Sequence, residues 1–469
     1  MSDRKPVIIS EEQLEEQRQY IQQIRLMPDA PKSYHVVTYG CQMNAHDSEI
    51  LAGMLRDMGM EEAADRESAD FVLFNTCCVR DNAERRALGN VTWLKEVRKK
   101  NPRLMIGVCG CMIQQPGMAE KILKQYRFVD LAFGTANLYR LPELMLKALE
   151  SDHAVVEVEE QNTIAEGLPV QRLRHDAAYI TIMYGCDNYC TYCIVPYVRG
   201  RERSRSIENI VEEVEQAVAN GYKEFTLLGQ NVNSYGKDFG EKGMFAKLLR
   251  RVNDVPGVER IRYMTSHPRD MGEDVIQAVA ECEHICENFH VPFQAGSSRI
   301  LKMMNRGYTR EQYLDLVKMI RRYVPDAAVT TDIIVGFPGE TEEDFEETLS
   351  LVKEVGFDAA YTFIYSKRSG TPAAKMEGQV PLDVKKARLN RLMAVQNENS
   401  LKRNEEMVGK TYEVLAEGPS ANNPNVWSGR TRTNKLVLWP TEGRTFTAGQ
   451  KVNVKICNAQ TWLVKGQAE

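Results

Sequence analysis

The chain has 469 residues, 43% of them hydrophobic and 27% charged, enough for a sizeable buried core and roughly three domains of about 150 residues. Its formal net charge of −5 excludes bulk attraction to nucleic acid, so any contact with RNA has to come from local basic clusters. No apolar run is long enough to span a membrane, and MSDRKPVIISEEQLEEQRQY carries charge where a signal peptide needs its apolar core, so a reducing cytoplasm is the expected compartment. There, eleven cysteines point to metal or redox chemistry, because an odd count among reduced thiols makes a poor disulfide framework.

Residues 1–32 are polar and Glu/Gln-rich and read as a helical or disordered leader without chemistry. SYHVVTYGC (33–41), DFVLFNTC (70–77) and LMIGVCGC (104–111) are strand-like, and the amphipathic stretches between them are helical. This alternation predicts an N-terminal domain over 33–150 with a flavodoxin-like parallel sheet covered by helices. A loop-like linker over 151–174 follows. A second alternating series then runs through AYITIMYGC, EFTLLGQ, RIRYMTSHP, ENFHVPFQ, AVTTDIIVGF and AAYTFIYS, which predicts a partial (β/α)6 barrel over 175–406. Ser206 is the expected cap of one of its helices, and another begins near Thr341. Residues 407–469 lose the helical period and read as a small antiparallel β-barrel.

The sharpest signal is YGCDNYCTYC, in which Cys186, Cys190 and Cys193 follow the first barrel strand in a CxxxCxxC spacing. Three thiolates this close can hold three irons of a cubane cluster and leave the fourth open for reaction. A zinc knuckle would need a fourth ligand, and no cysteine or histidine lies close after Cys193. Cys41, Cys77 and Cys111 each end a predicted strand and stand 36 and 34 residues apart, one β/α unit each time. The carboxyl ends of neighbouring parallel strands lie together, so these sulfurs are expected to converge on a second cluster. Periodicity leaves Cys77 against Cys78, and Cys111 against Cys109, open. Cys282 and Cys286, at i and i+4 of an expected helix, and Cys457 in a β segment read as buried small hydrophobes.

The CxxxCxxC segment, with aromatic Tyr192 before its last cysteine, resembles the radical S-adenosylmethionine (SAM) superfamily. With YGCQMN, NTCCVRDNAE, VCGCM, LLGQNVNSYG, NRGYTR, TTDIIVGFPGET and GRTRTNK in order, nearly the whole chain past the leader resembles the methylthiotransferase family. The resemblance implies two 4Fe–4S clusters and SAM as cofactors. It places the second ligand set on Cys41, Cys77 and Cys111 and the SAM-binding cluster on Cys186, Cys190 and Cys193. GQNVNSYG looks like the branch acting on N6-dimethylallyladenosine beside the tRNA anticodon, which implies tRNA as partner. One SAM would donate a methyl group, and a second would yield the radical that opens C2 of the adenine. A flavodoxin or ferredoxin would donate the electron, and the chain is expected to act as a monomer away from membranes.

Gln230, Ser266 and Gln294, each ending a barrel strand, stand where radical SAM enzymes offer polar contacts to SAM, and Tyr192 belongs to the same cofactor set. His267 and His290 read as structural. Arg199, Arg201, Arg203 and Arg205 alternate, so an extended chain would present them together to phosphates; the competing reading is a solvated face paired with Glu202 and Glu208. In the last domain, which resembles a TRAM domain, Arg430, Arg432 and Lys435 would grip the tRNA backbone. Anaerobic reconstitution is expected to give about eight irons per chain, and a value of about four would remove the second cluster.

Overall fold

Residues 6–78, 81–159, 162–174 and 176–469 are described by a computed structural model, with only the helical backbone given for 81–83. Val79 and Arg80 of NTCCVRDNAE, and the first five residues of the expected leader, lie outside the described residues. The chain divides into two units. The first comprises residues through 173 together with 184–187 and 193–205, and the second comprises 174–183, 188–192 and 206–469.

In the first unit, Ser10 and Gln13 form a reciprocal capping box that starts α1 (Glu11–Leu26). Its Ile21 and Ile24 are buried in the unit's core, so the leader is an integral helix and not an appendage. The central sheet contains β1 (Ser33–Thr38), β2 (Glu61–Glu62), β3 (Phe71–Thr76), β4 (Met105–Gly110), β5 (Leu131–Phe133) and β6 (Val155–Glu157). Their order is β2-β1-β3-β4-β5-β6 and every pairing is parallel. This is the flavodoxin-like arrangement, in which the strand order, not the strand direction, reverses between β1 and β3. Every residue of β3 and β4 is buried, as strands covered on both faces require. Alternate side chains feed two cores: Phe71, Leu73 and Cys109 enter one, and Val72, Phe74 and Val108 the other.

The second unit holds six parallel strands, β7 (Ala177–Thr181), β8 (Glu224–Leu228), β9 (Arg260–Tyr263), β10 (Asn288–His290), β11 (Ala328–Val335) and β12 (Ala359–Ile364). They pair as β9-β8-β7 and β10-β11-β12, and a bridge from Ile261 to Ile285 continues one set into the other as an open barrel. Ser206 Oγ accepts from the Asn209 amide at the start of one covering helix, and Thr341 with Asp344 caps another, as the sequence predicts. A helix absent from the sequence reading, Leu382–Glu405, packs along β12.

The closing barrel runs through β13 (Thr411–Ser420), β14 (Asn423–Thr431), β15 (Leu436–Pro440), β16 (Lys451–Ala459) and β17 (Val464–Ala468). It differs from the all-antiparallel expectation at one pair, since β15 and β17 run parallel where Val437 meets Val464. Trp439 fills its core against Phe446. Two corrections concern cysteines. The helix before Cys282 ends at Glu281, so Cys282 and Cys286 share no helical face, and only Cys286 is buried; Cys457 is exposed.

Arg260, fully buried, donates to the Arg430 carbonyl and to Glu413 Oε1, both at 2.8 Å, while Arg262 donates to the carbonyls of Thr431 and Arg432 at 2.9 Å. These bonds fasten the closing barrel to β9. Arg260→Ala strands several acceptors and should lower stability by about 3 kcal/mol, read as an earlier denaturant midpoint. An unchanged midpoint would show that the barrel is held elsewhere.

Candidate active site

The cysteines beyond β1, β3 and β4 stand at the carboxyl edge of the first sheet, beside its switch point, where open α/β sheets bind ligands. Cys41 precedes the helix Gln42–Asp57, Cys77 follows β3, and Cys111 follows β4. The loops are tied together by backbone and amide bonds. Asn44 Nδ2 donates to the Tyr39 carbonyl at 2.9 Å and to the Thr76 carbonyl at 2.8 Å. Asn75 Nδ2 donates to the Asn44 carbonyl, and the Cys111 amide donates to Thr76 O. Gly40, at φ +113°, lets the chain pass against Cys77, where a Cβ would lie 2.4 Å from the Cys77 Cβ and 2.7 Å from its Sγ.

The choices left open by periodicity acquire a geometry here. Cys109 points into a hydrophobic core, where burial pushes its thiol up, while Cys111 stands beyond the strand end. Cys78 donates to Cys111 and packs with it against Ile194 and Val198. That bond, and Arg199 beside it, outweigh desolvation and draw the Cys111 thiol below its ordinary range. Four thiols therefore gather at this edge, those of Cys41, Cys77, Cys78 and Cys111. Among the described residues, no three Cys, His or carboxylate side chains surround a single-ion position. A cubane cluster takes each cysteine on a different iron, and an edge that gathers several cysteine sulfurs beside the Arg199 guanidinium fits such a group.

In the second unit the loop carrying Cys190 is pinned by NRGYTR. The Thr191 amide donates to the Met304 carbonyl at 3.0 Å, and Asn305 Nδ2 donates to the carbonyls of Asn188 and Tyr189. Arg306 Nη1 donates to Cys190 Sγ at 3.3 Å and to the Tyr192 hydroxyl at 3.4 Å. In the first unit the Cys186 amide donates to the Gly200 carbonyl at 3.1 Å.

Gln230, Ser266 and Gln294 follow β8, β9 and β10 at the carboxyl end of the open barrel. Gln230 Oε1, Ser266 Oγ and Gln294 Oε1 are all buried without a hydrogen-bond partner. Thr265 and Gln294 have φ of +70° and +69°, a backbone that non-glycine residues rarely adopt. Three orphaned oxygens at one strand-end rim are what a polar cofactor such as SAM would satisfy. His267 is held neutral by burial and by the nearby Arg306, and its Nδ1 accepts from the Arg269 amide. His290 bonds Thr330 Oγ1.

The basic clusters are placed differently from the extended-chain expectation. Residues 195–198 form a helical turn, and only Arg203 and Ser204 are in strand pairing, so the alternation does not build one face. Arg199 is buried against Asp47, Arg203 donates to the carbonyls of Arg199 and Arg201, and Arg205 is buried against Glu166. Arg201 pairs with Asp187 and remains half exposed. In the last barrel Arg432 grips Glu287 with two nitrogens and the half-buried Lys435 pairs with Asp358, whereas Arg430 pairs with Glu417 and stays 39% exposed. Asn44, Asp47, Asn75 and Arg306 were missed as positioning residues, although YGCQMN, NTC and NRGYTR contained three of them.

Residues 33–134 match the uncharacterized protein family UPF0004, 180–352 match the radical SAM superfamily, and 405–468 match the TRAM domain. In fold the chain resembles the radical S-adenosylmethionine methyltransferase TsrM from Kitasatospora setae, with a TM-score of 0.54 at 16% identity over 73% of this chain and 77% of that one. Fold and matches together define a radical SAM protein with an N-terminal α/β domain and a TRAM barrel. Over 472 residues it is 52% identical to an Acetivibrio thermocellus protein named tRNA-2-methylthio-N(6)-dimethylallyladenosine synthase, covering 99% of this chain and 98% of the relative. A Clostridium botulinum protein of the same name is 55% identical over 435 residues, covering 92% and 96%. The chain belongs to the tRNA-2-methylthio-N(6)-dimethylallyladenosine synthase family.

Gly40→Ala tests the dispersed triad. The added methyl group would displace Cys77, so iron content should fall from about eight to about four per chain while SAM still binds. Full iron retention would mean that Cys77 is not a ligand.

Proposed function

We propose that the chain converts N6-(dimethylallyl)adenosine beside the anticodon of tRNA to 2-methylthio-N6-(dimethylallyl)adenosine, using one SAM as methyl donor and another as radical source. The observation that carries this reading is the pairing of two cysteine triads in one chain that is similar, nearly end to end, to proteins named for that product. Bound at the two triads, the clusters and SAM would supply a radical for the C2 hydrogen and a methylthio group to take its place.

The chain's own residues bind and orient. With the atoms now lacking partners, Gln230 Oε1 and Gln294 Oε1 would accept hydrogen bonds from SAM and Ser266 Oγ would accept or donate one, and Tyr192 would pack beside it. Asn44 and Asn75 hold the loops of Cys41, Cys77 and Cys111 in register. C2 of an adenine is reached only when the base leaves its stack, which a single-stranded anticodon loop permits more cheaply than a duplex. Arg201 and Arg430 are the members of the two basic clusters exposed enough to meet phosphates; Arg432 and Lys435 serve the barrel's attachment. The electron would come from a flavodoxin or ferredoxin to a monomer in the cytoplasm, and no helix among the described residues is long and apolar enough to cross a membrane.

Mass spectrometry of tRNA nucleosides from a strain lacking the gene tests the substrate. The 2-methylthio derivative should vanish, N6-dimethylallyladenosine should accumulate, and the intact gene should reverse both. Persistence of the 2-methylthio derivative would overturn the assignment.

A further inference from the structure

Each cysteine triad has one sulfur that receives a hydrogen bond from a buried arginine. In the first unit Arg199 Nε donates to Cys111 Sγ at 3.1 Å, while its Nη2 donates to Asn44 Oδ1 at 2.7 Å and Asp47 Oδ2 at 2.6 Å. In the second unit Arg306 Nη1 donates to Cys190 Sγ at 3.3 Å, Nη2 to the Pro292 carbonyl at 2.9 Å, and Nε to the Tyr308 hydroxyl at 3.1 Å. Both arginines are 5% exposed or less, so neither reaches solvent or an RNA phosphate.

Arg306 is the more telling of the two. Among the described residues no carboxylate pairs with it; its partners are carbonyl and hydroxyl oxygens and the sulfur of Cys190. A buried guanidinium without an anion is costly. The anion the site provides is the cysteine thiolate, and with it the negative charge of whatever metal group the thiolate binds. Arg199 has Asp47 as counter-ion, but Asp47 and Asn44, both on Nη2, also fix the guanidinium so that its Nε points at Cys111. Hydrogen bonds to ligand sulfurs and nearby net charge are the levers by which a protein sets the reduction potential of an iron–sulfur cluster.

We propose that Arg306 and Arg199 are positioning residues, each holding the charge of one cluster through one ligand sulfur, and that they set how readily the CxxxCxxC cluster and the dispersed-triad cluster accept an electron. This rests on the two-cluster reading. A cluster that takes up one electron gains one negative charge, which a neighbouring fixed cation stabilises. Removing the cation therefore lowers the midpoint potential of that cluster alone.

The test is a dithionite titration of the anaerobically reconstituted full-length chain, followed by electron paramagnetic resonance with and without SAM; the signal that SAM alters identifies the CxxxCxxC cluster. In Arg306→Gln the ratio of reduced to oxidised form of that cluster should fall about tenfold at a given poise, a shift of about 59 mV for one electron, while the other cluster stays put. Arg199→Gln should give the reverse pattern. Unchanged midpoints in proteins holding about eight irons, or a shift shared by both clusters, would overturn the proposal. Should a glutamine variant lose iron, the Arg306→Lys or Arg199→Lys protein, which restores the cation, is titrated instead. Recovery of iron and midpoint supports the proposal, and failure to recover iron assigns the arginine to folding and overturns it. An unsubstituted chain with only about four irons would sink the two-cluster reading itself, and that failure is visible before any variant is made.

Discussion

Parallel pairing of β1, β3 and β4 is the constraint on which the first site depends. Because the three strands run in the same direction and lie side by side, the residues just beyond each of them meet at one edge. The intervals between Cys41, Cys77 and Cys111 are the length of one strand, one covering helix and their connections, so regular spacing in sequence becomes convergence in space. The approach is closer than side chains on every residue would allow. Gly40 and Gly110 both take positive φ, and a Cβ on Gly110 would lie 2.5 Å from the Thr76 carbonyl oxygen. Asn44 and Asn75 then replace backbone pairing that the loops have given up, using amide groups to satisfy carbonyls from the neighbouring loop.

Buried charge is the second organising feature. Arg199, Arg260 and Arg306 each lie out of water, and each is surrounded by acceptors that come from distant parts of its own unit. For Arg260 the result is attachment of the closing barrel. Around Arg199 and Arg306 the acceptors include the sulfur of a cysteine that is a candidate metal ligand. The same arithmetic removes most of the basic residues from the candidate RNA surface. Arg205, Arg432 and Lys435 have their carboxylate partners at Glu166, Glu287 and Asp358; Arg201 and Arg430, paired with Asp187 and Glu417, keep more of their side chains in solvent.

The barrel rim shows the converse. Gln230, Ser266 and Gln294 bury oxygens without partners, at a cost of roughly 1–3 kcal/mol each when nothing satisfies them. Folding tolerates this where a ligand completes the network, and strained backbone at Thr265 and Gln294 marks the same rim.

Much of this was legible in the sequence because it is local or periodic. CxxxCxxC lies within eight residues, strand and helix periods located both β/α series, and Ser206 and Thr341 announced their helices through side-chain chemistry alone. What the linear pattern could not carry was partnership across distance. Alternating arginines from Arg199 to Arg205 read as one face because the turn at 195–198 and the partners Asp47 and Glu166 are not visible in a local window. Periodicity left Cys109 against Cys111 open and the family resemblance chose Cys111; the fold adds that Cys109 lies in a hydrophobic core and Cys111 past a strand end. By itself the sequence determined which residue types stand at the strand ends, since that follows from period and length. Only the tertiary structure decided which charged groups remain available for binding, since a cation's fate depends on whichever distant anion the fold brings beside it.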